Sequence, residues 1–286
     1  MTLSQILILA IIQGAAELLP VSSSAHVIVA EKLMGLDPTA PEMTLLLVML
    51  HTGTMFAVIG YFWRSWRESF FSSRAALANV FRLVVVATLL TGVIGLGLKT
   101  LIEHVFMKGM QHAEIEDLFG NTTLISVALF AVGILILIAG FSRREQSRTG
   151  KPMSAFDAAV IGAVQGICLP FRGFSRSGAT ISTGLLLNVS RARNEEFSFA
   201  LAVVLTPPVI ARETWRLVRD QHVPLTGPAM LHVFMPGLLA MCMSFVAGLL
   251  ALRWLSSWLE NGRWQLFGIY CLLASLVVYV LNEAVF

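Results

Sequence analysis

The chain has few charged residues, and this shortage determines its class. Only 13% of its 286 residues are charged, and 56% are hydrophobic. A soluble globular domain carries about 25% charged residues. Because a water-soluble fold could not bury this much apolar surface, we predict an all-α integral membrane protein that forms a single membrane domain over residues 1–286.

Cysteine is also scarce, which argues against a disulfide framework or a thiolate metal site. Cys168, Cys242 and Cys271 lie in apolar sequence without CxxC or metal-ligand spacing, so we expect them to be packing residues. The N-terminus lacks a basic segment, so the first apolar stretch is expected to remain in the mature protein. The net charge of +3 is small and the arginines cluster in short loops. We therefore expect membrane lipids, and no nucleic acid, as partners.

Long apolar runs are present in six places, each close to the ~20 residues that cross a bilayer. They lie at about 43–63, 80–100, 121–141, 197–215, 230–252 and 265–285. Two further apolar regions, about 4–34 and 156–189, are interrupted by proline and serine. Since each gives two pieces too short to span the membrane, we predict two re-entrant helical hairpins.

These elements occur in an order that repeats. A hairpin and three spans at 1–145 are followed by a hairpin and three spans at 146–286, and Gln13-Gly14 corresponds to Gln165-Gly166. Three spans per repeat is an odd number, so the halves face opposite ways, as in an inverted-topology repeat.

The loop charges indicate the orientation of the chain. The 64–82 and 142–155 loops are rich in arginine and are predicted to be cytoplasmic, whereas the acidic 101–120 loop is predicted to be external. Both chain ends would then lie outside. The 211–228 loop does not fit, because it carries three arginines and should be external.

Polar residues concentrate at the first break. Gln13 and Glu17 share a helix face, and Pro20 ends that helix. Three serines then offer N-caps for the next helix: Ser22, Ser23 and Ser24. We predict that Gln13, Ser22 and Ser24 also bind the ligand. Ser23 and His26 are three residues apart on one face, so His26 is a candidate acid or base for a Ser23 nucleophile, and Glu17 is a candidate base or cation ligand.

The second break has the same character. Its polar residues, which we predict to bind an anionic ligand, are Arg172, Ser175, Arg176, Ser177 and Thr180. A helix N-terminus presents free N–H groups and partial positive charge, and Arg176 adds a planar donor fork suited to phosphate. Two such helix N-termini that enter from opposite sides of the membrane would meet near its midplane. The sequence therefore predicts a binding site there for a phosphate or diphosphate.

Each of these residues also has a structural interpretation. The serines could only cap helices, His26 could be a hydrogen-bonded core residue, and Arg176 could mark the cytoplasmic edge of its hairpin. The agreement of the two hairpins favours the functional interpretation. His51 begins a polar stretch within a predicted span, and we expect packing or support of the site there rather than catalysis.

Two motifs carry a family resemblance: Glu17-Leu-Leu-Pro-Val-Ser-Ser-Ser-Ala-His26 and Gly173-Phe-Ser-Arg-Ser-Gly-Ala-Thr180. In order and spacing over nearly the whole chain, the sequence resembles the bacterial undecaprenyl-diphosphatases of the bacitracin-resistance type. The resemblance implies six spanning helices with two re-entrant hairpins in the bacterial inner membrane, and an active site that faces the periplasm.

The resemblance also implies an activity. Undecaprenyl diphosphate would lose phosphate to give the monophosphate carrier of cell-wall synthesis, with stimulation by Mg²⁺ or Ca²⁺. By motif position Glu17, Ser23, His26 and Arg176 match the family's functional residues, with Ser23 as nucleophile. Gln13 departs from the family, which usually has an acidic residue there, and Arg172 adds a cation where the family commonly has an adjacent Pro-Gly.

Two alternatives stay open at this point. A transporter or flippase of a polyprenyl phosphate would also use inverted repeats and an anion site, although transport does not require Glu17, Ser23 and His26. The candidate partners also include a second copy of the chain, in a homodimer.

Overall fold

The computed structural model describes residues 1–36, 41–106, 120–142, 150–221 and 228–284. Within these ranges the regular structure is helical, apart from one isolated bridge between Lys151 and Val189. A π-helical turn, Ile102–Phe106, extends α4. The described α-helices are α1 Leu3–Leu18, α2 Ser23–Leu33, α3 Pro41–Ser69, α4 Arg74–Leu101, α5 Thr122–Phe141, α6 Ala155–Cys168, α7 Arg176–Leu186, α8 Arg191–Gln221, α9 Pro228–Glu260 and α10 Trp264–Ala284.

Five helical stretches in the described part of the chain are long and apolar enough to cross a membrane. They are Leu45–Ser69, Arg74–His104, Thr122–Phe141, Met235–Glu260 and Trp264–Ala284. Each overlaps a span predicted from the sequence. The prediction of an all-α integral membrane protein with several spans is confirmed.

The sixth predicted span, 197–215, lies within α8 and is not among these five. Charged residues flank 197–211, so the uncharged part of α8 is shorter than the ~20 residues of a bilayer crossing. The helix continues through Pro207 and Pro208.

Both predicted hairpins are present as pairs of short helices. Helices α1 and α2 contain 16 and 11 residues, and α6 and α7 contain 14 and 11. Proline starts each connection: Pro20 follows α1, and Pro170 follows α6. Leu19, which precedes Pro20, is extended, as is usual before proline, whereas Leu169, which precedes Pro170, keeps helical dihedral angles. Proline has no N–H with which to continue a helix, so each first helix ends at this point.

The hairpins pack reciprocally. Helix α1 lies against α9, and α6 lies against α4. Gly14 of α1 and Gly166 of α6 permit these close approaches, since an added Cβ would be 2.7 Å from the Ser244 carbonyl oxygen and 2.8 Å from that of Thr91, respectively. The two Gln-Gly pairs noted in the sequence thus occupy similar packing positions. The division into repeats at 1–145 and 146–286 stays a prediction.

The loop-charge argument falls largely outside the described residues. Most of the acidic loop, 107–119, most of the basic loop, 143–149, and residues 222–227 are not described. The orientation of the chain therefore also stays a prediction.

The α4–α6 contact gives a test of close packing. A Cβ on Gly162 would overlap the Ala87 carbonyl, whereas nothing lies within 4 Å of a Cβ on Gly97, which is exposed on α4. Gly162→Ala should destabilise the protein by about 1–3 kcal/mol, the usual range for overpacking. Gly97→Ala should leave stability unchanged or slightly higher. Thermal unfolding in detergent measures both, and equal melting temperatures would contradict this packing.

Candidate active site

The tips of the two hairpins touch. The backbone N–H of Gly173 donates to Ser24 Oγ at 3.3 Å, and the Ser177 hydroxyl donates to the Leu19 carbonyl at 3.2 Å. Gly173 has a φ of +98°, and a Cβ there would lie 2.5 Å from the Ile125 carbonyl oxygen, so glycine is required. The two breaks found in the sequence therefore form one site.

Glu17 is the centre of this site. Its Oε2 accepts a 2.5 Å hydrogen bond from the Ser23 hydroxyl and a 3.1 Å bond from Gln13 Nε2. Arg176 Nη2 lies 3.4 Å from Oε1, and His51 Nε2 lies 3.8 Å from Oε2. Only 19% of the Glu17 side chain is exposed. One carboxylate is thus surrounded by groups from α1, α2, α3 and α7.

The local sequence explains why Ser23 reaches Glu17. Ser23 is the first residue of α2, and it follows Ser22, whose φ of +67° is in the left-handed region. That conformation costs a non-glycine residue about 1–2 kcal/mol. The His26 ring nitrogen Nδ1 donates to the Ser22 carbonyl at 2.7 Å, which holds the reversal in place. The sharp turn after α1 brings the serine hydroxyl back onto the last turn of that helix.

The two hairpins differ in how their second helices are capped. Ser175 Oγ accepts from the N–H of Gly178 at 3.2 Å and so caps α7, as the sequence predicted. Ser22 makes no such bond to α2, and its Oγ lies 3.2 Å from Ser24 Oγ instead. Of the three N-cap candidates, Ser22 occupies the N-cap position of α2 with a left-handed backbone, but its side chain makes no capping bond. The first-turn amides of α2 are consequently available for an anion.

His26 is not hydrogen-bonded to Ser23. Its Nε2 lies 2.6 Å from the Tyr270 hydroxyl, and the two rings stack with centroids 5.6 Å apart. The shared face of α2 places His26 and Ser23 close together, but the Nδ1 bond to Ser22 turns the ring towards α10. The residue that accepts the Ser23 hydrogen is Glu17.

Tyr270 is a site neighbour that the sequence analysis missed. It is one of only three tyrosines in the chain and lies in the apolar α10. A polar hydroxyl within such a helix was the available signal. Its partner on α2 is 244 residues away in the sequence and could not be inferred from spacing.

Arg176 retains unused donor capacity. Its Nη1 is buried and has no hydrogen-bond partner among the described residues, and its ion pair with Glu17 is long at 3.4 Å. Buried guanidinium donors are normally satisfied. A ligand oxygen at this position would supply the missing acceptor.

Several hydroxyls predicted to bind ligand are used inside the protein. Ser175 caps α7, Ser177 bonds to Leu19, and Thr180 Oγ1 is fully buried at 2.6 Å from Ser198 Oγ. A hydroxyl in an apolar interior needs such a partner. These three side chains therefore stabilise the hairpin junction, whereas Ser23 is directed at Glu17.

Arg172 is also engaged within the protein. Its guanidinium interacts electrostatically with Glu31 of α2, a carboxylate with only 1% exposure. This electrostatic interaction adds a second charged link between the hairpins. The extra cation predicted for the ligand is thus shared with a protein carboxylate.

Comparison with known proteins places the chain in a family. Residues 6–277 match the family described as bacitracin resistance protein BacA. The chain is 58% identical over 283 residues to undecaprenyl-diphosphatase 2 of Acinetobacter baylyi, covering 98% of both chains.

More distant relatives match over similar lengths. An undecaprenyl-diphosphatase of Gluconacetobacter diazotrophicus is 33% identical over 98% of this chain and 96% of its own. That of Gluconobacter oxydans is 31% identical over 96% and 97%. The matched range 6–277 spans both hairpins, and the chain belongs to the bacitracin resistance protein BacA family.

Proposed function

We propose that this protein is a membrane phosphatase that hydrolyses undecaprenyl diphosphate to undecaprenyl phosphate and inorganic phosphate, and so recycles the lipid carrier for cell-wall synthesis. The names of its relatives supply the substrate. The observation that carries the chemistry is the 2.5 Å bond from Ser23 to Glu17, beside an Arg176 donor, Nη1, that has no partner in the described part of the chain.

In the first step Ser23 Oγ attacks the terminal phosphorus. Its proton passes to Glu17 Oε2, which already accepts that hydrogen. The bond from phosphorus to the bridging oxygen breaks, and undecaprenyl phosphate leaves with that oxygen. The product of this step is a phosphoserine.

Charge stabilisation comes from both hairpins. Arg176 supplies Nη1 and Nη2 to phosphate oxygens, and the first-turn amides of α2 supply further donors. Because Arg176 then pairs with phosphate, its hold on Glu17 weakens and the carboxylate becomes a better base. Binding of the substrate thus increases the basicity of Glu17.

In the second step a water molecule attacks the phosphoserine. As the bond between phosphorus and Ser23 Oγ breaks, Glu17 returns to Ser23 Oγ the proton that it took in the first step, and both hydrogens of the water leave with inorganic phosphate. The serine recovers a proton, and the starting arrangement is restored. His26 acts on this cycle by fixing Ser22 and thereby the start of α2, while Tyr270 fixes its ring.

A divalent cation such as Mg²⁺ or Ca²⁺ is part of the proposal. Among the described residues no three His, Cys, Asp or Glu side chains cluster to hold a metal on their own. Mg²⁺ is commonly held by one or two carboxylates together with substrate phosphates, and Glu17 fits that arrangement. When bound, the cation would neutralise charge on the diphosphate.

The setting of the reaction follows from the family resemblance and from the lipid substrate. We propose the bacterial inner membrane as the location, with the site open to the periplasm and the polyprenyl tail among membrane lipids. A homodimer stays a prediction. The family and the relatives reported above give no support to a transporter or flippase.

Ser23→Ala should abolish phosphate release without unfolding the protein, because it removes one atom at a partly exposed position. Turnover should fall by at least about a thousandfold, the scale of losing a nucleophile. Phosphate release from a prenyl diphosphate by purified protein measures this, with Ser72→Ala in the exposed α3–α4 turn as the control. Substantial residual turnover would remove Ser23 as the nucleophile.

Glu17→Gln should separate binding from turnover. In the presence of a chelator, removal of the carboxylate ends its repulsion of the anion and frees Arg176. We expect methylenediphosphonate to bind roughly tenfold more tightly, about 1.4 kcal/mol, while turnover is lost. Calorimetry measures the affinity for methylenediphosphonate. The Arg176→Gln variant, which loses a cation, should bind this anion more weakly than wild type. Weaker binding by Glu17→Gln would contradict the assignment of Glu17 as a base.

A further inference from the structure

A cavity of about 190 Å³ lies where α3 ends and where α4 and α8 begin, and it takes no part in the proposed reaction. Ser69, which lines the cavity, is on the same helix as His51, which is beside Glu17. At 1.5 Å per residue, Ser69 and His51 are roughly 27 Å apart along α3. The cavity is therefore a separate feature at the far end of the helix from the catalytic carboxylate.

The interior of this cavity is apolar. Phe70, Leu83 and Phe197 line it as buried side chains, and Val80 and Met153 complete the apolar surface. Water gains few hydrogen bonds in such a space, whereas a hydrocarbon chain makes dispersion contacts with every wall. The shape and chemistry of the interior thus favour an apolar group of a ligand.

Two arginines stand at the mouth of the cavity. Arg193 lines it, donates Nη1 to Glu196 Oε2 at 3.1 Å and keeps 48% of its side chain exposed. Arg82 is exposed and donates Nη2 at 3.3 Å to Oδ1 of Asn79, which is itself an exposed lining residue. A guanidinium has five N–H donors, so both arginines keep donors that suit phosphate oxygens.

The carboxylate below the mouth is compensated within the protein. Glu196 accepts hydrogen bonds from the Ser65 hydroxyl, from the Ser69 hydroxyl at 3.2 Å and from Arg193, and its side chain is only 9% exposed. Because these donors are already directed at Glu196, it opposes an anion at the mouth only weakly. The exposed charge of the mouth is therefore positive.

The mouth lies at the end of a membrane span. The span Leu45–Ser69 ends at the cavity, and near this end Trp63 and Phe71 are exposed with ring centroids 6.4 Å apart. Exposed tryptophan at a span end is typical of the membrane–water interface. Arg82 belongs to the arginine-rich 64–82 loop, and loops of this kind face the leaflet that carries anionic lipids.

We propose that this cavity binds one anionic glycerophospholipid, with its phosphate held by Arg82 and Arg193 and the start of an acyl chain against Phe70, Leu83 and Phe197. Basic pockets between membrane helices bind anionic headgroups in this way. A zwitterionic lipid carries its own cation beside the phosphate and gains less from the two arginines. Since the bound lipid would contact α3, α4 and α8 together, it would stabilise the folded chain.

Lipid binding to the purified protein tests this site and does not depend on turnover. The full-length chain is stripped of lipid in a neutral detergent and titrated with phosphatidylglycerol or phosphatidylcholine, and native mass spectrometry measures the lipid bound. Wild type should bind phosphatidylglycerol at least about fivefold more tightly than phosphatidylcholine. Phosphatidylglycerol should also give the larger increase in melting temperature.

Two kinds of variant separate the cavity from a general effect of charge. Arg82→Gln with Arg193→Gln should lose the preference for phosphatidylglycerol. Ala76→Leu, at another lining position, puts bulk into the cavity while both arginines remain, and should weaken phosphatidylglycerol binding by a similar factor. The control, Arg64→Gln with Arg67→Gln, removes the same charge at exposed positions of the same end and should bind as wild type does, within about twofold.

The opposite results overturn the proposal. Equal affinity for the two lipids in wild type, or an equal loss in the control, would mean a general attraction of the basic end. Tight binding that persists in Ala76→Leu would remove the cavity. Inorganic phosphate that stabilises as strongly, or farnesyl phosphate that binds more tightly, would replace the phospholipid as the ligand. If the variant with Arg193→Gln does not fold, Arg82→Gln alone, at an exposed side chain, must still weaken phosphatidylglycerol binding.

Discussion

Glu17 carries a carboxylate into an apolar interior, and the arrangement of the hairpins follows from the need to satisfy it. Burial of an unpaired charge is strongly unfavourable, so both oxygens require donors. Gln13 and Ser23 serve one oxygen, and Arg176 of the second hairpin serves the other. The same contacts join the two hairpin tips and aim a serine hydroxyl at its base, so stability and chemistry share one set of hydrogen bonds.

The contacts with Glu17 are graded in strength, which makes the site responsive. The Ser23 bond is short at 2.5 Å, whereas Arg176 and His51 remain at 3.4 and 3.8 Å. Weakly held cationic or coordinating groups are easily transferred to an incoming anion. A diphosphate can therefore take over these partners while the serine stays bound to the carboxylate.

Much of this was predictable, and the exceptions have physical causes. Run length and proline placement located five spans and both hairpins, because bilayer thickness and helix breaking act locally. The span predicted at 197–215 is not among the five, because Glu196 and Arg212 flank an uncharged stretch that is too short to cross a bilayer. The partners of His26 and Ser22 depend on one left-handed residue and on Tyr270 from a distant helix, and neither is encoded in helical spacing.

The packing of α1 against α9 has a consequence for how the protein is made. Helix α9 leaves the ribosome after most of the chain, so the first hairpin lacks its main partner during the greater part of translation. Until then Gly14 and Leu18, which meet α9 in the finished protein, would face lipid or the insertion machinery. Assembly of the catalytic centre is thus one of the last events of biogenesis. A chain that terminates before α9 would contain the motif of the first hairpin but not the helix that packs against it.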